Sequence, residues 1–261
     1  MNTLQKIQKI VGTEADGLIG PNTLRAICNK LNLDYSSDKK TCIKTIQKYV
    51  GSTADGIWGP KTEASVLAKL GGEDAVPMSE LDKLKQKYID KPINITKINY
   101  KHDLVTQSEL RSGKSAFGKV GCEDNLVNVK VPENYPLKYD GQRVKTIRIH
   151  KLVADRLEAA LNDVINHYGE DIEKVAPGAC VYDGSYNYRK TTGGSSYSVH
   201  SWGVAIDFDA ANNSYSMHEP NARLSKPEYK PFLDIFEAHG FHWLGRRNDY
   251  DWMHGQFTNW G

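Results

Sequence analysis

Apolar residues recur at helical spacing in two segments near the start of the chain. The apolar positions are Leu4, Ile7 and Val11 in the first segment and Ile43, Ile46 and Val50 in the second. Because residues three and four apart lie on one face of an α-helix, each segment predicts an amphipathic helix. An Asp-Gly turn and a Gly-Pro helix start follow each segment. Residues 1–72 are therefore predicted to form a small all-α domain of two repeats, offset by 39 residues.

Alternating segments fill much of the rest of the chain. They predict strands over residues 126–131, 144–149, 178–182, 204–209 and 240–244. Between them, residues 151–167 carry an apolar face at helical spacing. Strands mixed with helices predict an α+β domain with an antiparallel sheet over residues 96–261.

The segment between these two predicted domains has neither the repeat motif nor a strand pattern. Gly71-Gly-Glu-Asp-Ala-Val-Pro77 has the composition of a linker, and residues 79–88 follow with the pattern of a capped polar helix. Residues 73–95 are therefore predicted to be a linker that contains a polar helix.

Composition places the chain among ordinary globular proteins. It is 39% hydrophobic and 25% charged with a net charge of +2, which gives no support to nucleic-acid binding. No apolar run approaches the roughly 20 residues that cross a bilayer. The amino-terminal residues lack the apolar core and cleavage site of a secretory signal. We expect a monomer that is made in a cytoplasm, inserts into no membrane and keeps its four widely spaced cysteines as free thiols.

Candidate chemistry is concentrated near the carboxyl end. In the predicted strand 204–209, Asp207 and Asp209 lie on the face opposite the core, and Gly203 lets His200 fold back toward Asp207. Asp251 and His254 follow on a predicted turn, where a spacing of three projects both side chains to one side. Two imidazoles, one carboxylate ligand and a second carboxylate that moves protons are what a catalytic zinc site needs.

Each of these spacings is weak when taken alone. A helix cap or a surface pair explains most occurrences of a histidine and an aspartate seven residues apart. Asp209 and Asp249 are interpreted as structural or supporting neighbours of Asp207 and Asp251. The remaining nearby histidines have no place in the pattern and are interpreted as surface or core residues; they are His218, His239 and His242.

The combined pattern resembles a known family. The phrase S-x-H-x-x-G-x-A-x-D, from Ser198 to Asp207, followed by Asp251 and His254, resembles the M15-type zinc peptidases of bacterial walls over roughly residues 110–261. These include D-alanyl-D-alanine carboxypeptidases, dipeptidases and phage L-alanyl-D-glutamate endopeptidases, which share their fold with the hedgehog signalling domain. The resemblance implies that three residues bind Zn²⁺: His200, Asp207 and His254.

The same resemblance assigns catalytic roles. It implies that Asp251 is the general base and then the general acid, and that Arg189 steadies the scissile carbonyl. The chain departs from many relatives at Gly255-Gln256, where an aromatic residue commonly follows the last ligand, and at Trp252, which replaces a frequent proline. These departures leave the ligand set intact and concern the shape of the substrate pocket.

The repeat carries a second resemblance. Its phrase D-G-x-x-G-P-x-T, present in both copies, is similar to the repeat of peptidoglycan-binding domains attached to cell-wall hydrolases. The resemblance implies a shallow groove for glycan or stem peptide near seven residues: Asp16, Gly17, Thr23, Asp55, Gly56, Trp58 and Thr62. Position 19 is Ile where the second copy has Trp58, so the first copy is expected to bind more weakly or only to scaffold. A purely structural role for the duplicated turns stays open.

Together these patterns predict a modular peptidoglycan hydrolase resembling a phage endolysin, released to the wall by a holin-type route. Cleavage of the L-Ala–D-Glu bond by zinc-activated water is the first choice, because a lytic enzyme must cut cross-linked material. The alternatives are a D-Ala-D-Ala carboxypeptidase of the same family and a non-catalytic wall-binding virion protein. The intact Asp251 speaks against the last of these, since a structural site needs no base.

Overall fold

The computed structural model describes residues 1–71 and 79–259. The chain divides into two compact units, Met1–Lys83 and Leu84–Gly261. Helix α5 (Glu80–Asp90) crosses this division, and the Ser79 hydroxyl accepts the backbone N–H of Asp82 in its first turn. Beyond Gly71, the linker sequence predicted up to Pro77 lies outside the described residues. In the described part, no helix is both long enough and apolar enough to cross a bilayer.

The first unit contains the two helix–turn–helix repeats. Its helices before α5 are α1 (Thr3–Val11), α2 (Pro21–Leu31), α3 (Lys39–Val50) and α4 (Pro60–Lys69). Gly12 and Gly51 end α1 and α3 in the left-handed conformation, with φ of 76° and 74°. This is a common way to end a helix, because glycine adopts positive φ without steric strain.

A buried glutamine organises the turn of each repeat. The Gln8 side-chain amide donates to the Asp16 carboxylate (2.6 Å) and the Thr23 hydroxyl (3.3 Å), and its oxygen accepts the Gly17 N–H (2.9 Å). The Gln8 amide also donates to the Leu18 carbonyl (3.0 Å). The motif residues of the first repeat therefore stabilise the turn through hydrogen bonds to the buried Gln8 side chain.

The second repeat has the same network around Gln47, which is also buried. Its partners are Asp55 (2.7 Å), Thr62 (3.0 Å), the Gly56 N–H (2.8 Å) and the Ile57 carbonyl (2.9 Å). Six of the seven residues that the sequence assigns to wall binding thus belong to the two glutamine networks; they are Asp16, Gly17, Thr23, Asp55, Gly56 and Thr62. Trp58, the seventh, is partly buried against the core and donates to Glu63 (3.2 Å).

Replacing Gln47 by leucine tests this reading. The change leaves the Asp55 carboxylate and the Thr62 hydroxyl without their buried partner, so we expect local stability to fall by about 2–4 kcal/mol. Hydrogen exchange of the full-length protein should then be roughly 30- to 1000-fold faster at the amides of α3 and α4. Lys48→Ala, an exposed change on the same helix, is the control; equal exchange in the two variants would refute the role of Gln47.

The second unit is a mixed α/β structure with small antiparallel sheets. Its helices are α6 (Gln107–Arg111), α7 (Ala154–Tyr168), α8 (Ile172–Val175), α9 (Lys230–Ala238) and α10 (Leu244–Asn248). Its strands are β1 (Leu126–Lys130), β2 (Lys138–Tyr139), β3 (Gln142–Arg143), β4 (Thr146–His150), β5 (Tyr182–Gly184), β6 (Ala205–Phe208), β7 (His242–Trp243) and β8 (His254–Gln256).

Among the described residues, the largest sheet has the strand order β5-β6-β8-β7, with antiparallel neighbours throughout. Helices α7 and α9 pack against each other in the core of this unit. Phe208 of β6 contacts Phe232 and Phe236 of α9 and Trp243 of β7, with ring centroids 5.2–6.1 Å apart. This aromatic layer packs against one face of β6, and Asp207 projects from the opposite face.

Most predicted strands are shifted or shortened by one or two residues, and three predictions differ from the structure in kind. The strand predicted over residues 178–182 is wrong for most of its length: Pro177–Cys180 is a 3₁₀ turn, and β5 begins only at Tyr182. The helix predicted from residue 151 opens with a 3₁₀ turn, because the His150 ring accepts the Leu152 N–H. The strand predicted over 240–244 is limited to β7, after which α10 begins at Leu244.

A buried neutral histidine makes this unit sensitive to acid. The His150 Nε2–H donates to the Phe117 carbonyl (3.1 Å), and its Nδ1 accepts the Leu152 N–H (3.2 Å). Burial lowers the pKa of His150 from 6.5 to about 4. Between those values the unfolded chain binds a proton that the folded chain does not. The free energy of unfolding therefore falls as pH drops from 6.5 to 4, by roughly 3 kcal/mol.

Urea unfolding of metal-free protein at pH 7 and pH 4 measures this effect. A His150→Gln variant keeps a polar side chain that does not titrate, so its stability should fall by roughly 3 kcal/mol less than that of the unsubstituted protein. An equal fall in both proteins would contradict the assignment.

Candidate metal centre

Strand pairing brings two of the three candidate ligands together. In the antiparallel register of β6 and β8, Asp207 lies directly opposite His254. Directly opposed residues on paired strands project to the same face, so both side chains leave the sheet on one side. His254 is therefore the first residue of a strand, where the sequence predicted a turn. Asp251 lies on the turn before this strand, and the Asp251 carbonyl accepts the His254 N–H (3.0 Å).

The third candidate ligand comes from the turn before β6. His200 lies in a 3₁₀ turn, Val199–Trp202, which ends at Gly203 with φ of 69°. A Cβ at Gly203 would lie 2.6 Å from the Leu126 side chain and 3.1 Å from the His150 nitrogen. Glycine is required there both for its backbone conformation and for space. The tight turn directs the buried His200 ring back over β6, as the sequence predicted.

The three side chains converge on one point. His200 Nε2 lies 3.1 Å from His254 Nδ1 and 3.3 Å from Asp207 Oδ2, and His254 Nδ1 lies 3.0 Å from Asp207 Oδ1. Among the described residues, these three form a group of His, Cys, Asp or Glu side chains close enough together to hold one metal ion. With bonds of about 2.0–2.1 Å at tetrahedral angles, two ligands of zinc lie about 3.3 Å apart. The observed spacings agree with this value.

The outer ring nitrogens indicate which atoms are available to a metal. His200 Nδ1–H donates to the Ser185 carbonyl (2.6 Å), and His254 Nε2–H donates to Gln256 Oε1 (3.1 Å). Each ring therefore keeps its proton on the far side, and the lone pairs of His200 Nε2 and His254 Nδ1 face each other. Two lone pairs 3.1 Å apart repel unless a proton or a metal cation lies between them. The donor set fits Zn²⁺, with both ligands oriented by a second hydrogen bond.

The electrostatics of the cluster also favour a cation. When the two imidazoles carry protons on these inner nitrogens instead of a metal ion, burial by itself would raise the pKa of Asp207, but the hydrogen bonds and charges of protonated His200 and His254 bring it well below its ordinary value. Burial would likewise lower the pKa of His254, but the hydrogen bond and charge of Asp207 raise it above its ordinary value. An ionised carboxylate thus stands between two imidazoles, where positive charge is stabilised.

Asp251 lies beside this cluster without joining it. Its backbone has a positive φ of 52°, and its N–H donates to the Tyr215 carbonyl (3.1 Å). Its Oδ1 atom is buried and has no hydrogen-bond partner. Burial raises the pKa of the Asp251 carboxyl, while the nearby charges of His254, His200 and Arg189 act to lower it. A buried carboxylate oxygen that has no partner within the protein is suited to exchange a proton with a bound water or substrate.

Arg189 lines the open side of the site. A pocket of about 280 Å³ contains Arg189, His200 and Asp207 on its walls, and the other lining residues come from the β5 segment and Tyr139. The Arg189 backbone N–H donates to the Ser201 hydroxyl (3.0 Å), and its exposed guanidinium donates to the Lys190 carbonyl (3.2 Å). Arg189 therefore lies on the wall of the same cavity as two of the candidate ligands, and its guanidinium remains accessible to a substrate.

Two other aspartates near the site have structural contacts. Asp209 leaves the strand in a left-handed conformation (φ of 50°), so it does not share the face of Asp207 as the alternation predicted. Its carboxylate is held by Asn212 (2.7 Å) and Arg223 (3.2 Å). Asp249 ends α10 and accepts from the Trp252 indole (3.0 Å) and the Glu219 N–H (2.7 Å).

The three remaining histidines of the region lie apart from the ligand group. His239 is buried and pairs with Asp163 (2.8 Å). His218 is exposed and contacts the Asp249 carbonyl, and His242 is half-buried on β7.

Sequence reasoning missed the residues that orient the ligands. Ser185 acts through its carbonyl, which any residue possesses, so no side-chain pattern could reveal it. Gln256 stands at the position flagged as a departure from relatives, and its side chain holds His254. The preceding Gly255 admits no side chain, because a Cβ there would lie 1.7 Å from the Phe241 ring. Phe241 thus fills the space beside Gly255, where relatives commonly have an aromatic residue.

Replacing Gln256 by leucine should weaken metal binding. The change removes the acceptor that fixes the His254 ring, and loss of such a partner typically lowers metal affinity by about 10- to 100-fold. Competition with a chromophoric chelator measures the affinity directly. Gln142→Leu, at an exposed position of β3, serves as the control. Unchanged affinity in Gln256→Leu would show that the hydrogen bond does not orient His254.

Two histidines and one aspartate beside a carboxylate with one buried, unpartnered oxygen define a candidate hydrolytic metal centre. Residues 192–257, about a quarter of the chain, match a family model described as D-alanyl-D-alanine carboxypeptidase, of peptidase family M15. The matched segment contains all three candidate ligands and Asp251, and Arg189 lies just before it. This match supports a peptidase of the M15 type. No curated protein and no solved structure gives a significant match to the chain.

Proposed function

We propose that the chain is a zinc-dependent peptidoglycan endopeptidase that hydrolyses the L-Ala–D-Glu bond of the stem peptide. The observation that carries the catalytic part of the proposal is the buried Asp251 oxygen without a partner, beside three converging ligand atoms. A site that only held a structural ion would have no use for such a carboxylate. A protein pays for burying a carboxylate oxygen with no partner, and such arrangements are concentrated at functional sites.

The roles of the residues follow from their positions. His200, Asp207 and His254 would hold Zn²⁺, which lowers the pKa of a bound water from 15.7 to about 7 and polarises a carbonyl oxygen. Asp251 accepts the proton of the attacking water and then donates a proton to the leaving amine. Arg189, on the pocket wall, stabilises negative charge that develops on the scissile carbonyl oxygen. The hydrogen bonds that the two imidazoles donate to the Ser185 carbonyl and to Gln256 Oε1 hold both rings in their orientations.

The wall-directed part of the proposal rests on the repeat. The doubled D-G-x-x-G-P-x-T phrase is similar to peptidoglycan-binding repeats, and a wall-binding unit would deliver the peptidase to its polymer. Because the Gln8 and Gln47 networks use six of the motif residues, Trp58 is the best placed of the seven to touch the wall. A protein of this organisation fits an endolysin that reaches the wall through membrane lesions at lysis.

Two alternatives make different predictions. The description of the matching family favours carboxypeptidase action, in which a terminal D-alanine is released. Cutting cross-linked wall requires an internal bond, which favours the endopeptidase for a lytic protein. A non-catalytic wall-binding virion protein would bind zinc only structurally, and the unpaired Asp251 argues against it.

Mass spectrometry of purified peptidoglycan after digestion by the zinc-loaded protein separates these functions. New D-glutamate amino termini support the endopeptidase, and the loss of one alanine per stem peptide supports the carboxypeptidase. An unchanged digest with zinc present would exclude both activities for that wall type. Digestion of walls with different cross-bridges then defines the chemotype that is recognised.

A further inference from the structure

The pocket beside the metal ligands continues away from them to an exposed tyrosine. It follows the backbone of residues 183–187, which leads out of β5, and reaches Tyr139 on the β2–β3 hairpin. Strand β5 lies at one edge of its sheet, so this wall of the pocket is a strand edge among the described residues. Tyr139 and the ligands His200 and Asp207 therefore line one continuous cavity of about 280 Å³.

Specific contacts hold the backbone of the hairpin that carries Tyr139. Its strands pair Lys138 with Arg143 and Tyr139 with Gln142 around a two-residue turn, in which Asp140 and Gly141 have φ of 46° and 73°. Asp-Gly with positive φ at both positions is typical of the tight turn that matches strand twist. Lys138 ties the hairpin to the body of the unit through Glu173 (2.7 Å). The hairpin backbone thus sets where the exposed Tyr139 side chain begins.

The Tyr139 ring contacts its neighbour edge to face. Its centroid lies 6.2 Å from that of Tyr182 at an interplanar angle of 64°, and the side chain remains 55% exposed. Tyr182 is fixed in turn, because its hydroxyl donates to Ser185 Oγ (2.7 Å), which donates to the Arg148 carbonyl (2.6 Å). The Tyr139 ring therefore packs against a hydrogen-bonded partner, while much of its surface is exposed at the pocket.

The rest of this pocket is polar. Asp183 and Asn187 lie along it, and Tyr186 stands beside it with the Arg148 guanidinium over its ring at 5.4 Å. A flat exposed aromatic surface with hydrogen-bonding groups at its margin suits a pyranose ring, which offers axial C–H groups to the aromatic face and hydroxyls to the margin. An apolar side chain would call for an enclosing apolar wall, and this cavity has none among its described lining residues.

We propose that Tyr139 is the aromatic platform of a saccharide subsite for the sugar that precedes the scissile bond. The proposal rests on the proposed function, in which the bond cut lies after L-alanine. In peptidoglycan that alanine is joined to the sugar ring through a lactyl ether, so the ring lies one short link from the reacting carbonyl. Tyr139 and two of the candidate ligands line the same cavity, as a substrate with this short linkage requires. Tyr139 then determines specificity without taking part in the bond cleavage.

The test compares two soluble substrates with the zinc-loaded full-length protein. One is an N-acetylmuramoyl stem peptide, and the other is the same peptide with N-acetyl in place of the sugar. We expect kcat/KM to be higher for the muramoyl peptide, and Tyr139→Ala to lower it by about 5- to 10-fold for that substrate alone. Tyr139→Phe keeps the ring and should keep the preference. An equal loss on both substrates, or a preference that survives Tyr139→Ala, would overturn the proposal.

Binding provides a readout independent of cleavage. In an Asp251→Asn background, calorimetric titration with each peptide should show that Tyr139→Ala weakens binding of the muramoyl peptide only. If the unsubstituted protein cleaves neither peptide at the L-Ala–D-Glu bond, the proposed function fails, while these titrations still decide the subsite. Equal affinity of the Tyr139→Ala and Tyr139 proteins for the muramoyl peptide would rule the subsite out.

Discussion

An Asp251→Asn variant should retain its metal and lose most of its peptidase activity. Asparagine occupies nearly the same volume, and asparagine also tolerates the positive φ of 52° at this position. It cannot accept a proton from water, and general acid–base catalysis by a positioned side chain contributes about 10²- to 10⁴-fold. We therefore expect kcat to fall by that factor while the zinc content stays at one ion per chain. Elemental analysis and peptide hydrolysis assays measure the two quantities in the same sample.

Asp249→Asn is the matched control for this experiment. Asp249 lies two residues earlier, also has a positive φ, and uses its carboxylate oxygen as an acceptor for Trp252 and Glu219. Asparagine retains an acceptor oxygen, so activity should stay close to that of the unsubstituted protein. Undiminished hydrolysis by Asp251→Asn would show that another group carries the proton.

A His200→Ala variant should lose both metal and activity. The change removes one of three ligand atoms and leaves Asp207 and His254, which as two protein ligands hold zinc far more weakly than a set of three. We expect the zinc content after dialysis to fall below about one tenth of an ion per chain. Hydrolysis should fall below detection, since the attacking water then has no activating ion.

The control for this loss is His102→Ala, at an exposed position outside the ligand group. Its zinc content and hydrolysis should match those of the unsubstituted protein. A His200→Ala protein that still bound one zinc ion with unchanged affinity would remove His200 from the ligand set. Adding excess zinc to His200→Ala distinguishes weakened metal binding from loss of catalysis. If only binding is weakened, hydrolysis should recover as the zinc concentration rises.

The sequence predicted the parts of this protein that depend on periodicity. Helical spacing located α1 and α3, and alternation placed Ile206 and Phe208 on a buried face of β6 with Asp207 directed away from it. The alternation was wrong at Asp209, because the strand ends at Phe208, one residue before the end of the alternating sequence pattern. Alternation describes which way side chains point while a strand lasts, and it contains no information on where tertiary contacts end it.

Other features were invisible for a different reason. Gln8 and Gln47 read as polar positions on amphipathic helices, although both are buried at the centre of a turn network. Their role depends on contacts with residues 8 to 15 positions later, which no local pattern encodes. Asp251 was singled out by its spacing from His254, whereas Arg189 was assigned only through resemblance, because an isolated arginine carries no periodic signal. The pairing of Asp207 with His254 likewise required the strand register.

That register has a consequence for how the protein matures. Asp207 and His254 are directly opposed only while β6 and β8 keep their present alignment. A slip by one residue would turn His254 to the opposite face of the sheet, toward Phe241 and the aromatic core, and would leave Asp207 opposite a residue that binds no metal. On the proposed function, an ion held by His200, Asp207 and His254 would bind only the aligned form, and it would therefore stabilise that alignment over the misaligned ones.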